Sequence, residues 1–110
     1  MVSTFLRLEG NTVRNRILNF LVVHSEFDYS MKDIARFSEV SYTSLKGIWK
    51  IYTKRKIVVY TRNIGKAKMY KLNRENPLVE NFINYYWSVL DSEANNMGVK
   101  KEKATILEYN

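Results

Sequence analysis

Apolar residues recur with helical spacing in the first part of the chain. From residue 11 to Val23 they stand three and four positions apart, which predicts a helix that Asn11 caps. Ser30 and Asp33 have the spacing of a capping box, in which each residue bonds the other's amide. They predict a second, short helix that ends near Phe37, with this ring in the core.

The helix predicted over residues 41–55 has two contrasting faces. Leu45, Trp49 and Tyr52 share an apolar face, and Ser41 is a good N-cap because its hydroxyl can accept an unpaired amide hydrogen. The opposite face carries small, polar or cationic residues and no acid: Tyr42, Thr43, Lys46, Gly47, Lys50 and Lys54. A front of this kind suits the major groove of DNA, which is wide enough to admit an α-helix.

After this helix the spacing changes to the two-residue period of β-strands. Two segments that are β-branched and aromatic, or that alternate in polarity, flank residues 62–66. Asn63 and Gly65 tolerate the positive φ of a hairpin turn. We therefore predict a β-hairpin over residues 57–72 with a basic tip. Residues 27–29 are a candidate for a short strand that pairs with it.

A closing helix is predicted over residues 76–94. Asn76 caps it, and Pro77 takes the first position, where a missing amide hydrogen costs nothing. Apolar side chains cover most of its girth, which favours a partner helix from a second copy, although packing against its own domain is the alternative. The predicted dimer interface consists of Val79, Phe82, Ile83, Tyr86, Val89 and Leu90. Residues 95–110 are polar and predict a flexible tail, in which residues 105–109 form an edge strand or stay disordered.

Charge is distributed unevenly along the chain. Residues 1–40 carry five Lys or Arg and five Asp or Glu, residues 75–110 carry three and six, and residues 41–74 carry ten and none. The balances of 0, −3 and +10 sum to the net charge of +7. Because a soluble surface usually mixes both signs, the middle segment indicates a polyanionic partner.

The predicted elements resemble, in their order, the winged helix-turn-helix domains of small archaeal and bacterial transcription regulators of the MarR, ArsR and PadR type. The residues that carry the resemblance lie within roughly residues 11–92: Ile34-Ala35, Val40-Ser41-x-x-Ser44-Leu45, Ile48, Tyr52, Ile57-Val58 and Gly65-Lys-Ala-Lys-Met-Tyr-Lys-Leu72. The resemblance implies an α+β, mostly α fold with four parts. These are an N-terminal arm (1–10, a short strand or a helix), the winged helix-turn-helix domain (11–75), a C-terminal dimerisation helix (76–94) and the tail (95–110).

The function that this resemblance implies is that of a homodimeric, sequence-specific regulator of transcription, repressor-like, that binds double-stranded DNA. The helix over residues 41–55 would enter the major groove and the hairpin over residues 57–72 would act as the wing. The expected contacts from the recognition helix are Ser41, Tyr42, Thr43, Ser44, Lys46, Gly47, Lys50 and Lys54. Those from the wing are Arg62, Asn63, Lys66 and Lys68, with Arg62 the best candidate for the minor groove.

The chain departs from this family's pattern at turn glycines. Family members often carry Gly where the recognition helix meets the wing and in the turn before that helix, but here Lys56 and Glu39 stand near these places. Gly47 inside the recognition helix is also unusual, because Gly in a helix costs about 1 kcal/mol relative to Ala. It either lets the backbone approach DNA closely or is a neutral surface residue.

Enzymatic, metal and membrane functions find little support in the composition. The chain has no cysteine, one histidine and no glycine-rich phosphate loop, so we expect no catalytic site, cofactor or metal. No apolar run approaches the ~18 residues of a membrane span, and residues 1–8 lack a secretory signal. We expect a cytoplasmic, nucleoid-associated protein. Two alternatives stay open: an architectural or partition-type adaptor that coats DNA and binds a protein partner, and an RNA-binding protein.

Overall fold

The computed structural model describes the backbone of residues 3–105 and the side chains of residues 3–95. This part of the chain folds into five helices and three strands. In order they are α1 (Thr4–Glu9), α2 (Val13–Val23), β1 (Tyr29–Ser30), α3 (Met31–Ser38), α4 (Tyr42–Lys54), β2 (Val58–Ile64), β3 (Ala67–Leu72) and α5 (Pro77–Thr105). The strands form one antiparallel sheet in the order β1-β3-β2. The predicted α+β, mostly α fold class is confirmed.

The N-terminal arm is a helix rather than a strand. Ser3 caps α1, and the ring of Phe5 packs between two rings of α5, with centroids 5.9 Å from Phe82 and 4.8 Å from Tyr86. The amide oxygen of Asn19 in α2 accepts hydrogen bonds from the hydroxyls of Ser3 (3.1 Å) and Tyr86 (2.7 Å). The arm is thereby tied to both α2 and α5.

The start of α2 differs by one residue from the prediction. Thr12, not Asn11, is the N-cap, and its hydroxyl accepts the amide hydrogen of Asn15 at 3.0 Å. Because the helix begins at Val13, only the residue directly before it has the geometry for this contact. Asn11 instead accepts a hydrogen bond from the guanidinium of Arg16.

Half of the capping box predicted for α3 is confirmed: Ser30 caps the Asp33 amide, but the Asp33 carboxylate accepts from Arg36. One of the expected core residues of this helix is not buried. The Ser30 hydroxyl accepts the amide hydrogen of Asp33 at 3.2 Å. Phe37 was expected in the core, yet half of its surface is exposed. Its ring stacks on Phe20 at 5.5 Å and is covered on its own helix by the guanidinium of Arg36, 4.5 Å away. It therefore lies at the margin of the core.

Both helices of the helix-turn-helix end in a Schellman motif without glycine. A left-handed residue follows each helix: Glu39, with φ of 59°, directly after α3, and Lys56, with φ of 58°, two residues after the end of α4. After α4, the amide of Ile57 donates to the carbonyl of Tyr52 at 2.8 Å, and the equivalent bond closes α3. The geometry expected at the family's glycines is thus present with other residues.

The wing has a shorter tip than predicted. Only Gly65, with a φ of 60°, and Lys66 lie between β2 and β3. Arg62 and Asn63 were predicted in the turn, but they belong to β2 because the ladder to β3 continues to its last residue, Ile64. The ladder has a register shift at residue 61, where the extra residue of a β-bulge increases the local twist of the strand. The predicted short strand next to the wing is present as β1, shifted to Tyr29–Ser30.

The closing helix is longer than predicted. Asn76 accepts the amide hydrogen of Leu78 at 2.9 Å, and Pro77 takes the first position, both as expected. The helix then continues to Thr105, so residues 95–105 of the predicted flexible tail have a helical backbone. Residues 106–110, which hold most of the candidate edge strand, lie outside the described residues.

The apolar stripe predicted as a dimer interface faces the core of its own domain. Val79, Ile83 and Tyr86 are buried, and Phe82, Val89 and Leu90 are half-buried against the same core. Packing against the chain's own domain, the alternative stated above, is therefore what this stripe does. The reason is the N-terminal arm, because α1 supplies the partner surface that the sequence-based argument sought in a second copy.

Candidate nucleic-acid interface

The recognition helix α4 presents the two faces that its sequence predicts. Leu45, Trp49 and Tyr52 are at most 4% exposed and anchor it in the core. The face predicted to contact DNA is exposed at every position: Tyr42, Thr43, Lys46, Gly47, Lys50 and Lys54. A rigid, buried back and a free front are what a groove-reading helix needs.

The first turn of α4 is ordered by two serines. The Ser41 hydroxyl accepts the amide hydrogen of Ser44 at 3.0 Å and donates to the Ser44 hydroxyl at 2.9 Å. Both residues are exposed. The other amides of the first turn have no partner within the helix, and together with the helix dipole they favour an anion at this end.

Tyr42 and Lys46 form a pair on the exposed face, one helical turn apart. The Lys46 ammonium lies 5.3 Å from the centroid of the Tyr42 ring, within the range of a cation–π contact. The contact holds the lysine against the helix surface near its N-terminal end. It leaves the charge without a carboxylate partner among the described residues.

The wing arginine, in contrast, has a partner. Arg62 donates to both oxygens of Asp28, through Nε at 2.9 Å and through Nη2 at 3.1 Å. The hydroxyl of Thr61, the bulge residue, donates to the same carboxylate. The hydrogen bond from Arg62, followed by that from Thr61, lowers the pKa of Asp28 to about 2. The Arg62 side chain remains largely exposed, but its guanidinium already donates to Asp28 and is therefore not free to contact DNA.

The other three predicted wing residues are exposed. Asn63 accepts a hydrogen bond from the Tyr60 hydroxyl at 2.6 Å, which orients its amide. Lys66 and Lys68 stand at and beside the turn, with no carboxylate within 4 Å among the described residues.

A groove of about 430 Å³ joins the wing to the start of α4. Tyr42 of α4 and Lys66 and Lys68 of the wing line it, together with Lys32 of α3. Lys32 is not among the contact residues that the sequence predicts. The capping box put it in the first turn of α3, but its closeness to the wing depends on the pairing of Ser30 with β3, which sequence alone did not fix.

The charge of residues 41–74 is little neutralised by the rest of the domain. Of its ten cations, Arg62 pairs with Asp28 and Arg74 pairs with Glu80, at 2.8 Å. The described residues offer no carboxylate within 4 Å of the other eight. Unpaired cations on α4 and on the wing create a positive potential in front of these two elements.

The described residues contain neither a metal-holding cluster nor a membrane-spanning helix. No group of three His, Asp or Glu side chains lies close enough within residues 3–95 to hold a metal ion. No helix in the described part of the chain has the length and apolarity needed to cross a bilayer.

Solved structures that are similar to this chain include regulators of transcription. ZitR of Lactococcus lactis is 14% identical, with a TM-score of 0.61 over 80% of this chain and 68% of its own. A homodimeric winged helix-turn-helix DNA-binding domain of Mycobacterium bovis, from a possible ArsR-family regulator, is 16% identical, with a TM-score of 0.56 over 84% and 81%. The adhesin competence repressor AdcR of Streptococcus pyogenes is 17% identical, with a TM-score of 0.60 over 90% and 75%.

The chain has the winged-helix fold. In the terms of that fold, α3 and α4 are its helix-turn-helix and the β2–β3 hairpin is its wing. No protein-family model and no curated protein matches the chain in sequence. The winged-helix arrangement is therefore formed by a sequence with little similarity to those of the matched structures.

Proposed function

We propose that the chain is a sequence-specific regulator of transcription that binds double-stranded DNA as a homodimer, in a repressor-like manner. The exposed face of α4 enters the major groove, and the wing and Lys32 grip the flanking backbone. The observation that carries this proposal is the unpaired cationic surface that runs from α4 across the groove to the wing. A DNA-binding protein of this kind works on the chromosome, so we expect it in the cytoplasm with the nucleoid.

In this proposal, side chains from the first three turns of α4 contact the base edges. Lys46 and Lys50 lie one turn apart on the exposed face, where each can donate to the O6 and N7 atoms of guanine. Thr43 is placed to touch a thymine methyl group. Ser41 and Ser44, at the helix N-terminus, bind phosphate and fix the register.

The test measures binding by fluorescence anisotropy across a salt series. Duplexes selected from a random library are compared with unselected duplex DNA, duplex RNA and single strands. We expect the selected duplex to bind most tightly, with an affinity that falls steeply as salt rises because bound phosphates release counterions. Lys46→Ala/Lys50→Ala should weaken binding to the selected duplex by at least about 30-fold, since each base contact is worth ~1–3 kcal/mol.

The matched control is Arg36→Ala/Arg74→Ala. It also removes two positive charges, but both arginines already pair with acids away from α4. It should change the affinity only slightly. Equal losses in the two double variants would contradict base reading by α4, and equal affinity for all duplexes would favour a DNA-coating adaptor. Stronger binding to RNA than to duplex DNA, or no binding to any nucleic acid, would overturn the proposal.

A further inference from the structure

The outer edge of the wing is a strand with one free side. The sheet order β1-β3-β2 places β2 at an edge, and the described residues supply no strand beyond it. β2 is seven residues long, and every residue after Val58 is exposed. In an antiparallel ladder, about half of the N–H and C=O groups of an edge strand point away from its partner. These groups of β2 can therefore pair with a further extended chain.

Most of the features that protect edge strands are missing from β2. Such strands are commonly very short or carry lysine or proline, and β2 contains neither residue. Its single charge, on Arg62, is already engaged by the carboxylate of Asp28. One protective feature is present, the β-bulge at Thr61, but the ladder to β3 continues on both sides of it.

The side chains beside this edge are largely apolar on both faces of the hairpin. Val59 and Ile64 lie on the same face, because their partners in β3, residues 71 and 67, are an even number of positions apart. Tyr60 lies on the opposite face, with its ring against that of Tyr70. These three side chains of β2 are between 39% and 51% exposed. A strand added at the edge would pack β-branched side chains against them.

A lysine stands beyond each end of the strand. Lys56 lies two residues before β2 and Lys66 lies two residues after it, and both are exposed. Neither has a carboxylate within 4 Å in the described part of the chain. The edge thus combines an apolar centre with an unpaired positive charge at either end.

These charges disfavour a second copy of the chain at the same edge. If two β2 strands paired in antiparallel orientation about Thr61, Lys56 of each copy would lie opposite Lys66 of the other. Parallel pairing in register would put identical lysines side by side. Like charges directly opposite each other destabilise a strand pair, whereas opposite charges stabilise it. The complementary occupant therefore carries acids at both ends.

We propose that the outer edge of β2 binds an extended segment of a protein partner, with β-branched residues at its centre and acidic residues at both ends. The segment adds a fourth strand to the sheet through backbone hydrogen bonds, and its carboxylates pair with Lys56 and Lys66. This inference goes beyond the proposed function, since it assigns a protein-binding surface that requires no DNA.

The test uses the full chain, without DNA, and three labelled peptides. The first, Glu-Glu-Val-Thr-Ile-Thr-Val-Thr-Val-Glu-Glu with blocked ends, matches the span from Lys56 to Lys66. The second has Lys at every Glu position, and the third has Pro at every Thr position. Fluorescence anisotropy should show that the first binds at least about tenfold more tightly than either of the others. Lysines would repel the two ends of the edge, and proline has no amide hydrogen to donate.

A double variant tests the two lysines. Lys56→Gln/Lys66→Gln should reduce the preference for the acidic over the lysine peptide several-fold. The matched control is Arg7→Gln/Arg36→Gln, which removes two positive charges on α1 and α3 that already pair with acids. It should leave that preference unchanged. Equal losses in both double variants would contradict the role given to Lys56 and Lys66.

Amide hydrogen exchange in the wild type locates the acidic peptide without any variant. Slower exchange at alternate residues of β2, whose N–H groups point away from β3, would support the proposal even if a variant failed to fold. Failure of the acidic peptide to bind, or equal binding of the acidic and proline peptides, would overturn it. Protection confined to other elements would also overturn it. Protection of these amides in the free chain that disappears on dilution would assign the edge to a second copy instead.

Discussion

Asp28 and Arg62 form the ion pair that decides how the wing can meet DNA. Arg62 was the best sequence-based candidate for the minor groove, yet its guanidinium donates to the carboxylate of Asp28, 34 residues away in the sequence. The pKa of Asp28, lowered to about 2 by hydrogen bonds from Arg62 and Thr61, keeps the acid charged near neutrality. Because the pKa of Asp28 is lowered in the folded state, its ionised carboxylate stabilises the fold at pH values above about 3.9, the pKa in the unfolded chain. This contribution is lost as the pH falls towards 2. A change of pH between about 6 and 8 should therefore not alter DNA affinity through this pair.

Replacement of the acid should release the arginine. We expect Asp28→Asn to tighten duplex binding several-fold and to steepen its salt dependence by about 0.9, the contribution of one further phosphate contact. The measurement is a salt titration by anisotropy. Arg62→Gln supplies the control: it should weaken binding in the Asp28→Asn background and have little effect in the wild type. Weaker binding by Asp28→Asn itself would mean that the pair positions the wing for DNA instead.

Gly47 lies in the middle of the exposed face of α4. An added Cβ would have no heavy atom within 4 Å, so Gly47→Ala should raise the free energy of unfolding by up to about 1 kcal/mol. If the backbone approaches DNA here, the same methyl group should weaken duplex binding, and we expect a loss of tenfold or more. Urea unfolding and anisotropy measure the two effects.

Ile51→Ala is the matched control for Gly47→Ala. Ile51 is exposed on α4 outside the predicted contact set, and alanine also raises helix propensity there. It should leave DNA binding unchanged. A Gly47→Ala variant that is more stable and binds as well as the wild type would make Gly47 a neutral surface residue.

The ends of α3 and α4 show what a sequence reveals about an element and what it does not. The caps at Ser30 and Ser41 are contacts between a hydroxyl and an amide three residues on, so spacing alone predicted them. The left-handed residues Glu39 and Lys56 were not predictable from their own preferences, because neither side chain favours positive φ. The burial of Ile57, directly after Lys56, imposes the conformation there.

Glycine should relieve this conformation. We expect Lys56→Gly to raise the free energy of unfolding by about 0.5–1 kcal/mol, since the left-handed penalty of ~1–2 kcal/mol exceeds the added flexibility of the unfolded chain. Urea denaturation measures the change. Lys54→Gly, which removes the same charge inside α4, should lower stability by about 1 kcal/mol. A loss of stability in both variants would contradict the prediction.

Contacts between distant elements set the limit of prediction for the candidate site. The exposed face of α4 followed from periodicity, which depends only on neighbouring residues. Lys32 and the Asp28–Arg62 pair depend on how β1 meets the other strands, which periodicity does not encode. For the same reason the apolar stripe of α5 was recognised as a packing surface but assigned the wrong partner, since α1 covers it.

At the scale of the molecule, α1 and α5 together form a flat outer face. Arg7 and Glu93 join the two helices at 2.7 Å, and the Tyr85 hydroxyl donates to Glu9 at 2.8 Å. Leu8 and Tyr85 are close to half exposed on this face. The backbone of α5 continues to Thr105. We propose that a second copy covers this face.

The homodimer proposal then depends on exposed residues that the buried stripe does not include. Leu8→Lys/Tyr85→Lys should convert a dimer into a monomer in light scattering after gel filtration, because four lysines would face one another across the two-fold axis. It should also abolish the preference for paired half-sites about 34 Å apart, which a dimer of recognition helices reads.

Phe27→Lys, at a position that is 64% exposed away from this face, is the matched control and should leave the dimer intact. If only Phe27→Lys broke the dimer, the interface would lie on the other side of α5. A monomeric wild type that still binds the selected duplex would contradict the homodimer and keep the DNA-binding role of α4.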